Sequence, residues 1–521
     1  MTSKALETYH KALAVNHDPA PYGTIAEIGA GQETSRWFFK VGGAAGTVAK
    51  TMSAYDMKFS DSIYGPCKRY VSRERLQAML DKEYNLVVER LHQIRGSGSA
   101  FFAFANTVAT YNYTKQSAGN GWLGIRFQPG PQQPASQIDI HVVLKGRSGS
   151  RDQETLGILG VNLIHSAYFL YQDPLKLLIS LMDNLSSDLL EIDMIDFEGP
   201  AFTDVDNRLM ALYLVKYGLS RAAMFNASGK LVQPSDVLYK KSVLVERSRF
   251  RPPTTLTMNI FDKAYEAFIN ENDIHAEDVM ALSEMTLLNL CDRDGETLEQ
   301  DVDIEDYLHR AEILSALGKN VMISSFGEFY KLSQYLFAQT SRSVAIALGV
   351  PNLLNIFDER YYQNLEGGIL EAFGKLFRND IRLYVCPMLT PEKDYLSLEN
   401  IPIPSPLHFG RPGGRMGGVS IVHPGLIEEV DFMTGGFPAR YGDKMSSVVE
   451  LKLREGDADE ISTDVNLNMA GFGLVVDGPV SGGGTMIFSV RRGVFDLVTD
   501  VVGIDALPAY WDVVGKLTYD L

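Results

Sequence analysis

Short apolar runs rich in β-branched residues alternate with longer amphipathic runs between Leu156 and Met388. Each apolar run ends in polar or charged residues, which is typical of strands that feed crossover helices in a mostly parallel sheet. The candidate strands are Leu156–Ile164, Leu190–Phe197, Ala222–Phe225, Val243–Val245, Met280–Met285, Val321–Ile323, Val344–Leu348 and Ile381–Val385. The candidate helices are Pro174–Leu185, Asp206–Tyr217, Thr255–Ile269, Ile304–Leu317, Phe326–Phe337 and Pro351–Phe377. This pattern predicts an α/β body that is a (β/α)8-like barrel or a doubly wound sheet, since periodicity does not give strand order.

The chain before this body predicts a mixed helical and β region. A helix is expected within residues 1–20, and Arg73–Arg95 has the spacing of one long amphipathic helix. Strands are expected at Phe101–Thr110, Trp122–Phe127 and Ile138–Leu144, with His141 on the polar face of the last one.

The pattern changes from about Tyr395 onwards. A proline-rich run at residues 401–406 ends the alternation of strands and helices, and glycine-rich loops follow. Apolar residues then recur with period two, which predicts strands. This alternation occurs at Val448, Leu451 and Leu453 and again within Asp464–Val476, and further strands are expected at Met486–Val490 and Trp511–Tyr519. We therefore expect four segments: a helical and β region (1–150), the α/β body (151–392), and two all-β pieces (393–456 and 457–521).

Composition narrows the function classes. The 521-residue chain carries a formal net charge of -17, which argues against nucleic-acid binding because phosphate neutralisation needs clustered Lys and Arg. Cys67, Cys291 and Cys386 form no CxxC pair, so neither a disulfide framework nor a zinc ribbon is expected. The start of the chain has no apolar h-region, and no run of about 18 apolar residues occurs. The chain as written is therefore expected to be cytoplasmic.

Two glycine-rich stretches are candidate cofactor sites. Ile25-Ala26-Glu27-Ile28 followed by Gly29 and Gly31 resembles the first turn of a nucleotide site, where glycines let backbone N–H groups approach the ligand. Gly42, Gly43, Gly46 and Lys50 resemble a phosphate-binding loop, although Ala49 precedes the lysine where a P-loop has glycine. The structural alternatives are a tight turn for the first stretch and close helix packing for the second.

Polar residues at the ends of the candidate strands are the candidate catalytic groups. Ligands bind at the carboxyl ends of parallel strands, and acids there serve as metal ligands or as a general acid–base pair, while arginines clamp phosphate or carboxylate. The residues at these ends include His165, Asn226, Glu246, Arg249, Thr286, Asn289, Ser324 and Ser325. Those expected to carry catalysis are Asp196, Glu198, Arg247, Glu284 and Glu328. A divalent metal or a nucleotide is the expected cofactor, with no metal ligands assigned; alternatively these residues only mark where loops begin.

The chain up to about residue 390 resembles an uncharacterised bacterial family whose members are labelled nicotinate-nucleotide adenylyltransferase or TonB-dependent receptor. The resemblance is carried by Ala26–Met57, Asp206–Met210 and Leu365–Phe373. Adenylyltransferases of that class bind phosphates through an HxGH motif, which this chain lacks, and Ile323–Phe326 matches their second motif only in part. The resemblance implies a nucleotide-related enzyme as an alternative function.

The C-terminal pieces resemble another family. Gly425–Phe432, Gly435–Asp443 and Ser446–Arg454 are similar to the second half of the plug domain of TonB-dependent outer-membrane receptors, and residues 457–521 resemble the first strands of their β-barrel. The resemblance implies nutrient uptake in the outer membrane. Too few strands are present for a closed barrel, so the sequence predicts a chimera of a cytoplasmic α/β protein and a receptor fragment.

Three functions follow from these observations. The body is expected to bind a phosphorylated or nucleotide-like small molecule, as an enzyme or as a non-catalytic binding or scaffold protein. The tail is expected to act as a receptor component, with membrane contact only through this C-terminal fragment.

Overall fold

A computed structural model shows a mixed α/β protein with several open sheets. It describes residues 6–114, 117–272, 274–291, 302–365, 368–378, 381–389, 395–396, 426–433, 448–468, 471–493 and 511–519. The proline-rich run 401–406 and the plug-like motif Gly435–Asp443 lie outside the described residues.

The helices and strands are numbered in chain order. The strands are β1 Pro21–Ile28, β2 Val48–Met52, β3 Ala100–Ala109, β4 Gly119–Phe127, β5 Ser136–Leu144, β6 Leu190–Glu198, β7 Ala222–Phe225, β8 Leu231–Val232, β9 Ser242–Arg247, β10 Val279–Thr286, β11 Asn320–Ser324, β12 Val344–Gly349, β13 Arg382–Cys386, β14 Met388–Leu389, β15 Tyr395–Leu396, β16 Ile427–Met433, β17 Val448–Leu453, β18 Ser462–Asn468, β19 Gly471–Val480, β20 Gly484–Gly493 and β21 Trp511–Tyr519. The α-helices are α1 Thr8–His17, α2 Glu33–Val41, α3 Met57–Tyr64, α4 Arg73–Arg95, α5 Gly149–Phe169, α6 Pro174–Ser180, α7 Asn207–Lys216, α8 Pro234–Val237, α9 Thr255–Asn272, α10 Leu287–Cys291, α11 Ile304–Ala316, α12 Phe329–Gln339, α13 Val350–Ile356 and α14 Gly368–Leu376.

The chain forms two compact units, and neither is continuous in sequence. The first comprises Met1–Gly349 with Asn379–Cys386, and the second comprises Val350–Arg378 with Pro387–Leu521.

The first unit contains a six-stranded sheet in the order β2-β1-β3-β4-β5-β6. β1 pairs in parallel with β2 on one side and with β3 on the other, while β3, β4, β5 and β6 form an antiparallel meander. The chain therefore runs from β1 outward to β2 and then returns across β1 to reach β3. Such a reversal of strand order creates a crevice at the carboxyl ends of the strands, which is where ligands bind in open α/β sheets.

Both faces of this sheet are covered, so its central strand is almost entirely apolar. In β3, every residue from Ala100 to Val108 is buried. Leu76 and Leu80 of α4 lie against Gly124 of β4 on one face. On the other face, Gly160 of α5 lies in close contact with Thr34 of α2 and with the Phe104 ring of β3, which fixes α2 against α5.

The second sheet of the first unit is doubly wound. Its order is β13-β12-β9-β10-β11-β7-β8, and all neighbours from β13 to β11 are parallel. The chain proceeds from β9 to β10 to β11 and then returns to β12 on the other side of β9. α9 packs on Leu244, Ala345 and Ala347 of one face, whereas Phe329 of α12 contacts Arg247 of the other. No sheet among the described residues closes into a (β/α)8 barrel. Of the two predicted arrangements, the doubly wound sheet is the one that matches this sheet.

One predicted strand is wrong. Leu156–Ile164 lies inside helix α5, whereas the other seven candidate runs of the body are strands. α5 is buried on nearly all sides, so its apolar run shows no helical periodicity. The run at Leu190–Phe197 is a strand as expected, and it pairs with β5 as the edge of the six-stranded sheet.

The second unit contains the predicted all-β pieces in outline. β16 and β17 pair antiparallel, and β18-β19-β20-β21 form an antiparallel meander, so the single run expected within Asp464–Val476 is split between two strands. The long helix expected at Pro351–Phe377 is wrong, because α13 ends at Ile356 and α14 begins at Gly368. Within the described residues, no helix combines the length and the hydropathy needed to cross a membrane.

Gly29 is expected to tolerate no side chain. It has φ +96°, and a Cβ atom there would overlap the carbonyl oxygen of Val108. We expect Gly29→Ala to lower the free energy of unfolding of the first unit by about 3 kcal/mol. The measurement is urea unfolding followed by tryptophan fluorescence.

Gly42→Ala is the matched control, because Gly42 has φ +85° and nothing lies within 4 Å of its added Cβ. It should cost only the strain of a backbone conformation, φ +85° and ψ 164°, that glycine adopts almost exclusively, and this loss should be smaller than the loss at Gly29. Equal losses for the two variants would contradict the close approach of Gly29 to Val108.

Candidate functional site

Glu27 ties the end of β1 to the start of α2. Its carboxylate accepts hydrogen bonds from the backbone N–H groups of Thr34 and Ser35, each at 3.1 Å, and from Asn106 Nδ2 of β3 at 3.2 Å. Burial raises the pKa of Glu27, and the hydrogen bonds from Ser35 and Thr34 oppose that rise. The carboxylate thus satisfies two of the N–H groups that a helix leaves unpaired at its first turn.

The turn between β1 and α2 contains the predicted glycines Gly29 and Gly31. Both have positive φ, and Gly31 N donates to the Tyr55 hydroxyl at 2.6 Å. After β2, Ser53 Oγ donates to the carbonyl oxygen of Glu27 at 2.7 Å. The Tyr55 side chain is 61% exposed. The turn 29–32 together with Ser53 and Tyr55, called the β1 rim below, therefore carries accessible polar groups at the carboxyl edge of the parallel strands.

The other predicted cofactor group lies elsewhere. Gly42 and Gly43 follow the carboxyl end of α2, about 14 Å from its start by helix geometry. Gly42 O accepts from Asn16 Nδ2 at 2.6 Å, Gly46 closes a 3₁₀ turn, and Lys50 Nζ lies 2.5 Å from the buried Glu83 carboxylate. This end of a helix presents carbonyl groups, whereas phosphate favours the N–H end.

Asp196 and Glu198 of β6 lie close to Arg73 and Asp139, neither of which was predicted as a site residue. Arg73, at the start of α4, donates through Nη2 to Asp196 and at 3.3 Å to Glu198. The same guanidinium donates through Nε and Nη2 to Asp139 of β5, at 3.1 and 3.0 Å. Asp139 and Asp196 are register partners and both are buried, so one arginine bridges two carboxylates on neighbouring strands.

Asp139 is almost completely buried. Burial raises the pKa of Asp139 to about 6, against the lowering effect of Arg73 and of the hydrogen bond from Gln137. A carboxyl group that titrates near neutral pH is suited to donate or accept a proton. Asp139 was not expected as a site residue because it lies inside a strand, and nothing in the sequence places Arg73 over it.

Arg247 and Glu284 form a buried ion pair in the doubly wound sheet. Arg247 Nε and Nη2 donate to the two oxygens of Glu284 at 2.7 and 2.9 Å, and Arg247 Nη1 donates to Gly327 O at 3.0 Å. Ser324 Oγ donates to Glu284 at 2.5 Å, and the Phe329 ring lies 4.3 Å from the guanidinium. The pair therefore joins β9, β10 and β11 to the loop before α12.

Glu328 is close in sequence to this loop but differs in character. It immediately precedes α12 and pairs with Lys331 at 2.6 Å on the surface. The five predicted catalytic residues thus divide into two groups: Asp196 and Glu198 lie on the six-stranded sheet, whereas Arg247, Glu284 and Glu328 lie on the doubly wound sheet.

Glu246, next to Arg247, faces the opposite side of the sheet. It is 2% exposed, and its Oε2 atom has no hydrogen-bond partner among the described residues. Burial raises the pKa of Glu246 to about 8, with Lys319 opposing the rise. Its register partner Ser283 also has a buried hydroxyl without a partner in this part of the chain.

Two histidines differ from expectation. His165 lies within α5 rather than at a strand end, and burial lowers its pKa to about 4. His141 is buried, and its Nδ1 lies 2.6 Å from Asp193 Oδ1, with the Trp122 ring 5.0 Å away. The strand that carries His141 is covered on both faces, so its polar side chains are paired internally rather than solvated.

The described residues contain no cluster of side chains suited to a metal ion. Among those residues, no group of three or more His, Cys, Asp or Glu side chains is arranged to hold a metal ion. The β1 rim offers hydroxyl and amide groups, which suit an organic or phosphorylated ligand better than a divalent cation.

Solved structures similar to part of this chain belong to the competence/damage-inducible proteins. The protein from Agrobacterium tumefaciens is 12% identical, with 32% of this chain and 99% of that chain covered and a TM-score of 0.23. The protein from Enterobacter asburiae is 13% identical, with 31% and 96% covered and a TM-score of 0.22. A competence-damaged protein (CinA) superfamily protein from Klebsiella pneumoniae is 10% identical, with 31% and 97% covered and a TM-score of 0.24.

Similarity at these TM-scores carries no argument about function. No family model and no curated protein matches the chain. Neither resemblance described in the sequence analysis finds support in these comparisons.

Glu246 is expected to make the stability of the first unit depend on pH. The pKa of Glu246 is about 8 in the fold, against 4.5 as its ordinary value, so the folded state binds the proton more tightly. The contribution of Glu246 to stability is then fully present below pH 4.5 and falls by up to about 1.4 kcal/mol per pH unit between these two values. Urea unfolding from pH 5 to pH 8 measures this slope.

Glu246→Gln keeps the shape without the ionisation, so its profile should be flatter and its stability at pH 8 higher. The exposed Glu89→Gln serves as control and should retain the wild-type slope. If Glu246→Gln and wild type lose stability in parallel, Glu246 is ionised in the fold and the assignment fails.

Proposed function

We propose that the chain binds a small phosphorylated or nucleotide-like molecule at the β1 rim. The observation that carries this proposal is the reversal of strand order around β1, together with a glycine turn held in place by Glu27. Open α/β sheets bind ligands at such a reversal. Because the turn is tied to both α2 and β3, it is preorganised, and little ordering is needed when a ligand arrives.

The groups around the rim favour an anion. The rim adjoins the positive end of the α2 dipole. Arg36 lies one turn into α2, is largely exposed, and pairs with Glu33 at 3.0 Å. The Tyr55 hydroxyl accepts from Gly31 N and keeps its own proton to donate to a ligand oxygen.

Glu27 also limits the mode of binding. The N–H groups of Thr34 and Ser35 already donate to its carboxylate, so they are not free for a phosphate as they are in a P-loop. A ligand is therefore expected to contact the turn, Tyr55 and Arg36.

A binding experiment tests the proposal. Inorganic phosphate, AMP and ATP are titrated into the full chain, and binding is measured by calorimetry and by the shift in unfolding temperature. We expect at least one nucleotide to bind, and Tyr55→Phe to weaken that binding about fivefold to tenfold through loss of one hydrogen bond.

Tyr239→Phe is the matched control, since Tyr239 is similarly exposed and lies in another part of the first unit. It should bind as wild type does. Absence of binding by all three probes, or equal affinity of the two tyrosine variants, would reject the β1 rim as the site.

We also propose that the β18–β21 meander meets an apolar environment, as its resemblance to TonB-dependent receptors implies. Register partners place Val465, Leu474, Val490 and Val513 in one row, with Phe488 and Leu517 on the same face. Most of these side chains are exposed. An outward face that is apolar suits contact with lipid or with an apolar partner surface.

The opposite face of the meander carries paired polar side chains beside a small apolar cluster. Arg491 Nε donates to Asp512 at 2.6 Å, and Asp477 accepts from Ser462 at 3.0 Å and from Arg454. Val475 and Ile487 are buried there against Leu426. This face is therefore covered in part, whereas the face with Phe488 and Leu517 is exposed.

Phase partition in a nonionic detergent tests the second proposal. We expect the full chain to enter the detergent phase, and Phe488→Ser with Leu517→Ser to return it largely to the aqueous phase because the apolar face is interrupted.

Ile461→Ser is the control, because Ile461 is exposed but precedes β18. If the wild-type chain stays in the aqueous phase, the exposed apolar face of the β18–β21 meander does not bind detergent and the second proposal is rejected.

A further inference from the structure

The segment that follows β3 lies on the opposite side of the crevice from the turn that follows β1. β1 leads outward to β2, whereas β3 leads away to β4, so the segments after β1 and β3 diverge from this point. Ile28 and Thr107 are register partners, and a Cβ atom added to Gly29 would overlap Val108 O, so the two strands stay in contact up to their carboxyl ends. Ligands of open α/β sheets bind between two segments that diverge in this way.

Two tyrosines lie in the segment after β3. The ring centroids of Tyr111 and Tyr113 are 5.0 Å apart, and the ring planes are inclined by 86°, which is the edge-to-face arrangement that aromatic side chains prefer. Tyr111 is half-buried, whereas Tyr113 is 67% exposed. These two residues, called the aromatic pair below, therefore orient each other and present an aromatic surface to solvent.

The backbone of this segment is anchored to the first sheet. Tyr111 N donates to Asp152 Oδ2 of α5 at 2.8 Å, and Asp152 is buried. Asn112 and Ser117 exchange two backbone hydrogen bonds, at 3.1 and 3.3 Å. The aromatic pair is thus held in place before a ligand arrives, so binding requires little ordering of the segment.

The spacing between the aromatic pair and the β1 rim suits one small ligand. Tyr111 lies three residues beyond Val108, which approaches Gly29, and three extended residues span about 10 Å. This separation is comparable with the length of a nucleoside between its 5′ oxygen and its base. A phosphate at the β1 rim and an aromatic base at the pair can therefore belong to the same molecule.

We propose that the aromatic pair is the base subsite of the β1 rim, and that the ligand is a nucleotide rather than a phosphorylated sugar. This inference rests on the function proposed above and adds the chemical class of the ligand. The base stacks on the Tyr113 ring, while the phosphate contacts the turn 29–32, Tyr55 and Arg36. Since every base has a π face, stacking selects an aromatic base without choosing among the bases.

Tyr239 provides the matched control within the first unit. It is 64% exposed, close to the value for Tyr113, but its ring lies 5.2 Å from Lys240 Nζ rather than against a second tyrosine. A change in binding at Tyr113 and not at Tyr239 therefore reports the position of the ring, not the loss of an exposed tyrosine.

The experiment compares two ligands that differ only in the base. AMP and ribose 5-phosphate are each titrated into the full chain, and the dissociation constants are measured by calorimetry. We expect AMP to bind about tenfold more tightly, because stacking of one base on an aromatic side chain contributes affinity of that order. Tyr113→Ala should bring the affinity for AMP down to that for ribose 5-phosphate and leave the affinity for ribose 5-phosphate unchanged.

Two further variants separate stacking from other effects. Tyr113→Phe keeps the ring and should bind AMP as the wild type does. Tyr239→Ala should bind both ligands as the wild type does. Because Tyr113 is largely exposed, the unfolding temperature of Tyr113→Ala without ligand should equal that of the wild type.

The outcomes distinguish this inference from the function on which it rests. If AMP and ribose 5-phosphate bind with equal affinity and Tyr55→Phe weakens both, the β1 rim stands and the base subsite is overturned. The base subsite is also overturned if Tyr113→Ala weakens both ligands equally or weakens neither. If neither ligand binds, the β1 rim is rejected and the base subsite with it.

Discussion

The carboxylate of Glu27 is the contact on which the first sheet depends. It lies at the end of β1 and binds the first turn of α2 and the side chain of Asn106 in β3, so it joins three elements that are distant in sequence. Such a buried carboxylate is stable only because its oxygens are fully hydrogen-bonded. The direction in which α2 leaves the sheet, and with it the shape of the turn at Gly29, follows from this one side chain.

Arg247, which is buried, and Arg73, which is partly exposed, perform a comparable role elsewhere in the first unit. Arg247 connects β9, β10 and the loop before α12, and Arg73 connects α4 to β5 and β6. Desolvation offsets much of the attraction in a buried ion pair, so these contacts add less to stability than to the choice of one arrangement over others. These contacts also explain why charged residues at strand ends resemble catalytic groups when only the sequence is known. An arginine and a carboxylate that stabilise the fold are the same residue types as those that bind a substrate.

Elements with one buried and one exposed face were predictable from the sequence, because their apolar residues recur with the period of the helix or strand. The strands β7 and β9 to β13 of the doubly wound sheet, the long helix α4 and the last strand β21 have observed bounds close to the predicted ones. α5 was mistaken for a strand because it is enclosed by α1, α2 and the sheet, and an apolar run with no exposed face carries no period.

The candidate site was predictable only in part, because its partners come from different sheets and helices. Gly29 and Gly31 stand at the edge where the motif suggested, but Tyr55 and Asn106 could not be associated with them from spacing. Asp139 and Arg73 are 66 residues apart and Arg247 and Glu284 are 37 apart, and sequence pattern contains no information about contacts at that separation.

The discontinuity of the two compact units has a consequence for how the chain emerges during synthesis. β13 completes the edge of the doubly wound sheet, but the thirty or so residues before it belong to the other unit. During synthesis, the edge of β12 that pairs with β13 therefore stays unpaired until the intervening helices and then Arg382–Cys386 have been translated. A single cut in the gene therefore releases neither unit whole.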